Sequence, residues 1–162
     1  VGFGNNYSVT TIAKDTNRHK HLIDIPQRKY FIDDALGWAS NNDEFLKAIK
    51  DDVKAFEKSI KAQYGFTSIS DVRFAVGTTI RKNGDLAHSV SDIFGGAIGK
   101  PYPMLSYSHS AAYWKEQGKY GVTQEAFAHM FEASSSAEKK ALMEKYLPKS
   151  YSVYEEMIKN LL

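Results

Sequence analysis

Residues 123–133, TQEAFAHMFEA, carry side chains of the types that bind metal ions. If this segment is helical, Glu125, His129 and Glu132 fall at positions i, i+4 and i+7 and share one face. Such a face presents carboxylate oxygens and an imidazole nitrogen, which are atoms that zinc accepts. The alternative is that this face is the solvent side of an ordinary amphipathic helix, with the apolar side chains of the opposite face in the core.

A second group of side chains that can bind metal lies in DLAHSVSDIFGG, residues 85–96. A helical period places His88 and Asp92 one turn apart on a polar face, opposite apolar side chains. If the two helices pack side by side, His88, Asp92 and Glu125 form a three-ligand metal site. The alternative is again a solvent-exposed face, because histidine and aspartate are common on the exposed sides of helices.

The other three histidines give weaker signals. His19 and His21 lie in a polar segment that predicts a loop, although a His-x-His pair can bind a metal. His109 stands just before a predicted helix, either as a proton donor or as a hydrogen-bonding residue near the helix cap. The sequence contains no Gly-x-Ser-x-Gly nucleophile elbow and no phosphate-binding loop, so neither serine-hydrolase nor nucleotide chemistry is supported.

The composition is typical of a globular domain. A chain of 162 residues, of which 43% are hydrophobic, predicts one domain with a sizeable core. The net charge of +2 gives no case for a nucleic-acid partner or for an anionic membrane surface. No apolar run approaches the roughly 18 residues of a membrane-spanning helix, so no membrane partner is predicted. The absence of cysteine excludes disulfides and cysteine-ligated zinc.

The beginning of the chain predicts a fragment of a longer protein. The first residue is Val1 rather than methionine, and the segment after it has neither the basic nor the apolar region of a signal peptide. We therefore expect a processed product or an excised domain. Within the polar N-terminal segment, residues 7–13, YSVTTIA, are the candidate strand.

Hydrophobic periodicity predicts an α+β domain with a small sheet and a mostly helical C-terminal half. Apolar residues at spacings of three and four predict a helix of about 20 residues near residues 42–63. Alternation within residues 72–80, followed by an Asn-Gly pair, predicts the sheet. At least four helices are expected after residue 84. In the helix described first, Phe127 and Phe131 are predicted to be buried.

Four blocks in the second half of the chain carry a resemblance to a known family. They read LAHSVSDIFGGAIG, SYSHSAAYW, EAFAHMFEAS and EKYLPKSYSVYEEMI, in that order. Their order and the skeleton SDIFGG…HS..YW…E.FA..FE…P.SY resemble the C-terminal region of minor head, or minor capsid, proteins of tailed phages of Gram-positive bacteria. The resemblance covers about residues 85–160, and no counterpart is found for residues 1–70.

The same layout is similar to the catalytic domain of anthrax lethal-factor-like zinc peptidases. In that family an HExxH helix supplies two histidine ligands and a glutamate base, and a later helix supplies a glutamate ligand. Carried over, His88 stands for the first histidine, Asp92 for the second and Glu125 for the third ligand. Ser89 stands in place of the glutamate base, and a serine cannot activate a metal-bound water. The resemblance implies that residues 71–162 form a zincin-like fold whose peptidase chemistry has been lost. We then expect hydrogen bonds among His88, Asp92, Glu125 and nearby tyrosines in place of a metal. His129 and Glu132 are expected on the solvent side of their helix.

Two functions of different classes follow, while a third, a nuclease or toxin domain of a phage-carried protein, is disfavoured by the near-neutral charge and the absence of a nuclease motif. The first is a non-catalytic structural or interaction domain of a phage or prophage head-associated protein, a degenerate zincin without a cofactor. Its expected partners are other virion or host proteins, in the virion or in the cytoplasm of a Gram-positive host. The second is a zinc peptidase-like, metal-dependent hydrolase with a His/Asp/Glu site, in which His109 or Glu132 substitutes for the missing base.

Overall fold

The computed structural model describes Gly2–Phe3, Asn5–Asn6 and residues 41–161. The first two segments form short strands, β1 and β2, which pair in an antiparallel manner. The strand predicted at residues 7–13 and the histidine-containing loop around residues 19–21 lie outside the described residues.

Residues 41–161 fold into an assembly of helices. In chain order these are α1 (Asp43–Tyr64), α2 (Ile69–Arg81), a short 3-10 helix (Gly84–Ala87), α3 (His88–Ile98), α4 (Ala111–Gln117), α5 (Gly121–Ala133), α6 (Ala137–Tyr146) and α7 (Pro148–Leu161). The prediction of at least four helices after residue 84 is confirmed. None of these helices combines the length and the apolar character that crossing a membrane requires.

Helix α1 confirms the helix predicted near residues 42–63. Asn42 caps its beginning, because the side-chain oxygen of Asn42 accepts a hydrogen bond from the backbone N–H of Phe45 at 3.0 Å. The helix ends at Gly65, whose φ of 71° lies in the left-handed region that glycine adopts without strain. Apolar residues at helical spacing on α1 are buried against the other helices. They are Phe45, Ile49, Val53 and Ile60.

The segment predicted to form a sheet is helix α2, so the prediction of an α+β fold with a sheet in residues 72–80 is wrong. Val72, Val76 and Ile80 lie one helical turn apart, and all three side chains are buried. The apparent strand alternation came from Phe74, whose side chain is 55% exposed on the opposite face of the helix. The zincin-like α+β fold implied by the resemblance is corrected with it, since the described residues from 41 onward are helical or irregular.

Helix α3 runs through the middle of the assembly and contacts α1, α2, α5 and α6. All residues from Ser89 to Gly95 are buried. A helix on the protein surface would expose one face, so α3 is not the amphipathic helix that the sequence predicted. A polar side chain in this stretch must therefore find its hydrogen-bond partners inside the protein.

An aromatic cluster joins α1, α5 and α7. Phe127 of α5 is 1% exposed and packs edge to face on Phe45 and Tyr154, with ring centroids 6.4 Å and 5.1 Å away. Burial of Phe127 was predicted and is confirmed. The prediction for Phe131 is wrong, because its side chain is 45% exposed at the edge of a surface cleft beside Tyr154.

A carboxylate of α1 fixes the beginning of α7. Asp52 Oδ1 accepts a hydrogen bond from the backbone N–H of Lys149 at 3.1 Å. Asp52 Oδ2 accepts two more, from the backbone N–H and the hydroxyl of Ser150, each at 2.7 Å. These N–H groups belong to the first turn of α7, where helices have unsatisfied donors and favour a negative charge. Asp52 therefore holds the last helix against the first one.

Candidate functional site

Asp92 of α3 is the centre of a buried polar cluster. Its side chain is 0% exposed. Asp92 Oδ1 accepts a hydrogen bond from the backbone N–H of His109 at 2.9 Å. The Nδ1 atom of the same histidine lies 2.9 Å from Oδ1 and 3.0 Å from Oδ2, and His129 Nε2 lies 3.0 Å from Oδ2. One carboxylate thus joins two imidazoles from different parts of the chain.

Glycine and a helix cap bring the histidine-bearing loop onto α3. Gly95 lies almost one turn after the central aspartate, and a Cβ at Gly95 would collide with Ser108 Oγ. Glycine therefore lets this loop pass close to the helix, whereas a larger residue would force the Ser108 side chain to shift. Immediately after His109, Ser110 caps α4 by accepting a hydrogen bond from the backbone N–H of Tyr113 at 3.2 Å. The loop is held on both sides of His109.

A second carboxylate enters the cluster through a tyrosine. The ring of Tyr113 stacks on the imidazole of His109, with centroids 3.9 Å apart and planes 15° from parallel. The Tyr113 hydroxyl donates a hydrogen bond to Glu125 Oε1. That hydrogen bond, together with partial burial and the negative charge of Glu125, raises the pKa of Tyr113 to about 12. Tyr113 therefore stays a neutral donor at physiological pH.

The environment of Asp92 keeps its carboxyl group ionised. Burial by itself raises the pKa of this group, because it penalises the charged form. Hydrogen bonds from His129 and from the backbone of His109, with the charges of both imidazoles, act in the opposite direction and are stronger in sum. The net result is a pKa of Asp92 below its ordinary value. A fully buried and ionised carboxylate is thus available at neutral pH.

Three of these side chains could hold a metal ion. Asp92, Glu125 and His129 each offer one ligand atom, and the three atoms lie within 4.8 Å of one another. Two carboxylate oxygens and an imidazole nitrogen suit zinc, whose bonds of about 2.1 Å place ligands about 3.4 Å apart in a tetrahedron. The donor set fits zinc, and the side chains would have to close by about 1 Å to reach it.

The contact between His129 Nε2 and Asp92 Oδ2 needs a hydrogen atom or a metal ion between the two atoms. At 3.0 Å, a lone pair on His129 Nε2 would face a carboxylate oxygen, and the two would repel each other. A proton on Nε2 turns the contact into a hydrogen bond, and a metal ion that displaces this proton turns both atoms into ligands. The cluster is therefore either a hydrogen-bond network or a metal site, according to whether a hydrogen atom or a metal ion lies between His129 Nε2 and Asp92 Oδ2.

The structure brings together two of the three predicted ligands. Asp92 and Glu125 lie in one cluster, whereas His88 is outside the group of three potential ligands. The His88 ring stacks on Tyr107 with centroids 4.7 Å apart, and its Nε2 lies 3.3 Å from Asp85 Oδ1 in an exposed pair. Metal binding by His88, Asp92 and Glu125 together stays a prediction. Among the described residues, His88 does not belong to the group of ligand atoms that includes Asp92 and Glu125.

The expectation that His129 faces solvent is wrong, because its side chain is only 14% exposed and contacts the buried carboxylate. The signal that could have found it was present, since His129 lies one turn after Glu125 on the same face. Of the two substitute bases, His109 belongs to the cluster. Glu132 is on the solvent side as predicted, with a 60% exposed side chain that pairs with Lys139 at 2.6 Å.

No family model, no curated protein and no solved structure matches this chain. Its function is therefore inferred from the cluster around Asp92 and from the sequence blocks that build this cluster. Asp92 and Gly95 belong to SDIFGG, His109 and Tyr113 to SHSAAYW, and Glu125 to EAFAHM.

Proposed function

We propose that this chain is a non-catalytic structural or interaction domain of a phage or prophage head-associated protein. Three of the four blocks that resemble phage minor head proteins supply the side chains around Asp92. Those blocks therefore have a physical role in common, which is to join α3, α5 and the loop before α4. These blocks can have this structural role without any catalytic activity.

The observation that carries this proposal is the closed network at Asp92. The carboxylate accepts from the backbone N–H of His109 and is in contact with a ring nitrogen of each histidine. Both of its oxygens therefore have partners within the protein. The position that corresponds to the peptidase base holds Ser89, which is buried and has no carboxylate to activate a water. These features suit a fixed scaffold better than a reaction centre.

The partners and location follow from the same proposal. The domain binds other virion or host proteins, in the virion or in the cytoplasm of a Gram-positive host. A net charge of +2 favours protein partners over nucleic acid.

Head association is tested with the parent protein in its own host. An epitope-tagged parent protein is produced during prophage induction, and heads are purified on a density gradient. The tag should sediment with the heads in a fixed ratio to the major capsid protein. Asp92→Ala should abolish this association by disrupting the domain, whereas the matched exposed change Asp85→Ala should not. A tag that stays entirely at the top of the gradient would refute the proposal.

The second candidate function is a zinc peptidase-like, metal-dependent hydrolase. It is favoured by the grouping of Asp92, Glu125 and His129, which are the residues that would hold the metal. A bound zinc would supply Lewis-acid chemistry at this site. His109 is then the candidate base, because the buried carboxylate orients its Nδ1 and leaves Nε2 on the other side of the ring.

Metal analysis separates the two functions. The protein is dialysed against zinc and then against buffer, and its metal content is measured together with hydrolysis of a mixed peptide library. The hydrolase predicts one zinc per chain, lost in His129→Ala and kept in His88→Ala, with peptide cleavage that a chelator stops. A folded protein that retains no zinc and cleaves no peptide supports the scaffold.

A further inference from the structure

A groove with cationic edges runs beside α1, at the C-terminal end of α3. It consists of two adjoining clefts of about 370 Å³ and 330 Å³, which share Lys50, Ala97 and Ile98. We call it the basic groove. Its cationic side chains are Lys50, Lys54, Arg73, Lys115 and Lys119.

The charge of the basic groove is local and largely uncompensated. Five cationic side chains line it against the single carboxylate of Glu57, although the whole chain has a net charge of only +2. Glu57 is already engaged by Arg73 at 2.6 Å, and Lys119 pairs with Asp43 at 2.9 Å. Within residues 41–161 the remaining three lysines form no ion pair. They are Lys50, Lys54 and Lys115.

The floor of the groove is apolar around Ala97 and Ile98, which are half-buried, and offers no platform for nucleic-acid bases. Leu46 and Val53 also belong to the lining but are almost fully covered. The aromatic side chain in the lining, Trp114, is only 6% exposed, so its ring face is not open for stacking. Single-stranded nucleic acids bind through exposed aromatic rings as well as cations. The combination of apolar floor and cationic edges fits a polypeptide that carries both apolar and acidic side chains.

We propose that the basic groove is the docking surface for an acidic, partly apolar segment of a partner protein. Lys50 and Lys54 are one turn apart on α1, so they can face acidic side chains that are also one helical turn apart in the partner. Lys115 of α4 lines the same cleft as Lys50. This inference rests on the proposed interaction function, because it names the chemistry of the partner.

The binding test uses the full chain and a labelled peptide in which Glu and Leu recur at helical spacing. Fluorescence anisotropy should detect binding that weakens as salt is raised, since the contacts are exposed ion pairs. The charge reversal Lys50→Glu with Lys54→Glu should weaken binding by about tenfold or more. The matched control is Lys58→Glu with Lys61→Glu, on the same helix but outside the basic groove, and it should change affinity by less than about twofold.

Several results would overturn the docking surface. They are the absence of peptide binding, equal weakening by the two double variants, or tighter binding of single-stranded DNA than of the peptide. A peptide with Lys in place of Glu should not bind, and binding of that peptide would assign the affinity to the apolar floor alone. Circular dichroism confirms that both variants are folded. Concentration-dependent dimers that the groove variant abolishes would instead assign the surface to a second copy of the chain.

The two proposals fail in different ways. If the tagged wild-type protein sediments with heads and the acidic peptide does not bind, the basic groove is wrong and the head-associated function stands. If the peptide binds in the groove and the wild-type protein is absent from heads, the head-associated function is wrong. Both proposals are supported if the Lys50→Glu, Lys54→Glu variant no longer sediments with heads while the Lys58→Glu, Lys61→Glu variant still does.

Discussion

Replacement of Asp92 by alanine should destabilise the protein by about 3–5 kcal/mol. The magnitude follows from the contacts in the structure. The substitution leaves three polar groups without their acceptor, namely the backbone N–H and Nδ1 of His109 and the Nε2 of His129. Each buried group left unsatisfied costs about 1–3 kcal/mol. Because the His109 side chain is 35% exposed, water can replace its Nδ1 contact, and the other two groups give about 2–6 kcal/mol, a range that brackets the expected loss.

Urea unfolding at neutral pH measures this loss as a fall in the midpoint at an unchanged slope. Asp85→Ala is the matched control, because Asp85 also lies beside a histidine but its side chain is 100% exposed. This control should leave the midpoint unchanged. A loss below about 1 kcal/mol in Asp92→Ala would contradict this prediction, because it would show that the buried contacts of Asp92 contribute nothing net to stability.

The comparison of wild type with Asp92→Ala should also depend on pH. The pKa of Asp92 lies below its ordinary value of 3.8 in the folded protein. A carboxyl group of this kind contributes stability above its unfolded-state pKa and loses it as the pH falls through the folded-state pKa. The difference in unfolding free energy between wild type and Asp92→Ala should therefore be largest above pH 3.8 and shrink below it. A difference that grows in acid would contradict the assignment.

Three further predictions concern other contacts. Phe127→Ala should cost about 3–5 kcal/mol in a urea melt, and the exposed Phe131→Ala far less, since only the first opens a cavity in the core. Glu125→Gln should lower the pKa of Tyr113 from about 12 toward 10.0, seen in an ultraviolet titration as the phenolate signal that disappears in Tyr113→Phe. Asp52→Ala should cost about 2 kcal/mol and speed hydrogen exchange at the first amides of α7, and unchanged exchange there would rule out its capping role.

The long first helix could be predicted and the second could not, for a physical reason. In helix α1 the apolar residues recur at the helical spacing of three and four, with charged residues between them, and no strand alternation competes with this pattern. In α2 the positions of Val72, Phe74 and Val76 match a strand, while Val72, Val76 and Ile80 match a helix. Only the partners of this segment decide between the two periods, because they bury one set of side chains and leave Phe74 in solvent.

The cluster around Asp92 could be predicted in part. The i, i+4 spacing identified the polar faces of both helices and paired Asp92 with Glu125. The sequence could not reveal that α3 is buried on all sides, since that depends on four other helices packing around it. The spacing placed His129 one turn after Glu125, but it did not show that His129 is enclosed and His88 is exposed.

The contacts of the Asp52 carboxylate between α1 and α7 constrain the order in which this protein can fold. Asp52 meets Lys149 and Ser150 across 97 and 98 residues of chain. During synthesis, α1 leaves the ribosome long before the residues that complete its contacts exist, and its apolar face must wait for them. Contacts between such distant residues form slowly. We therefore expect the domain to become protease-resistant in one late step, after α7 has been made, rather than helix by helix.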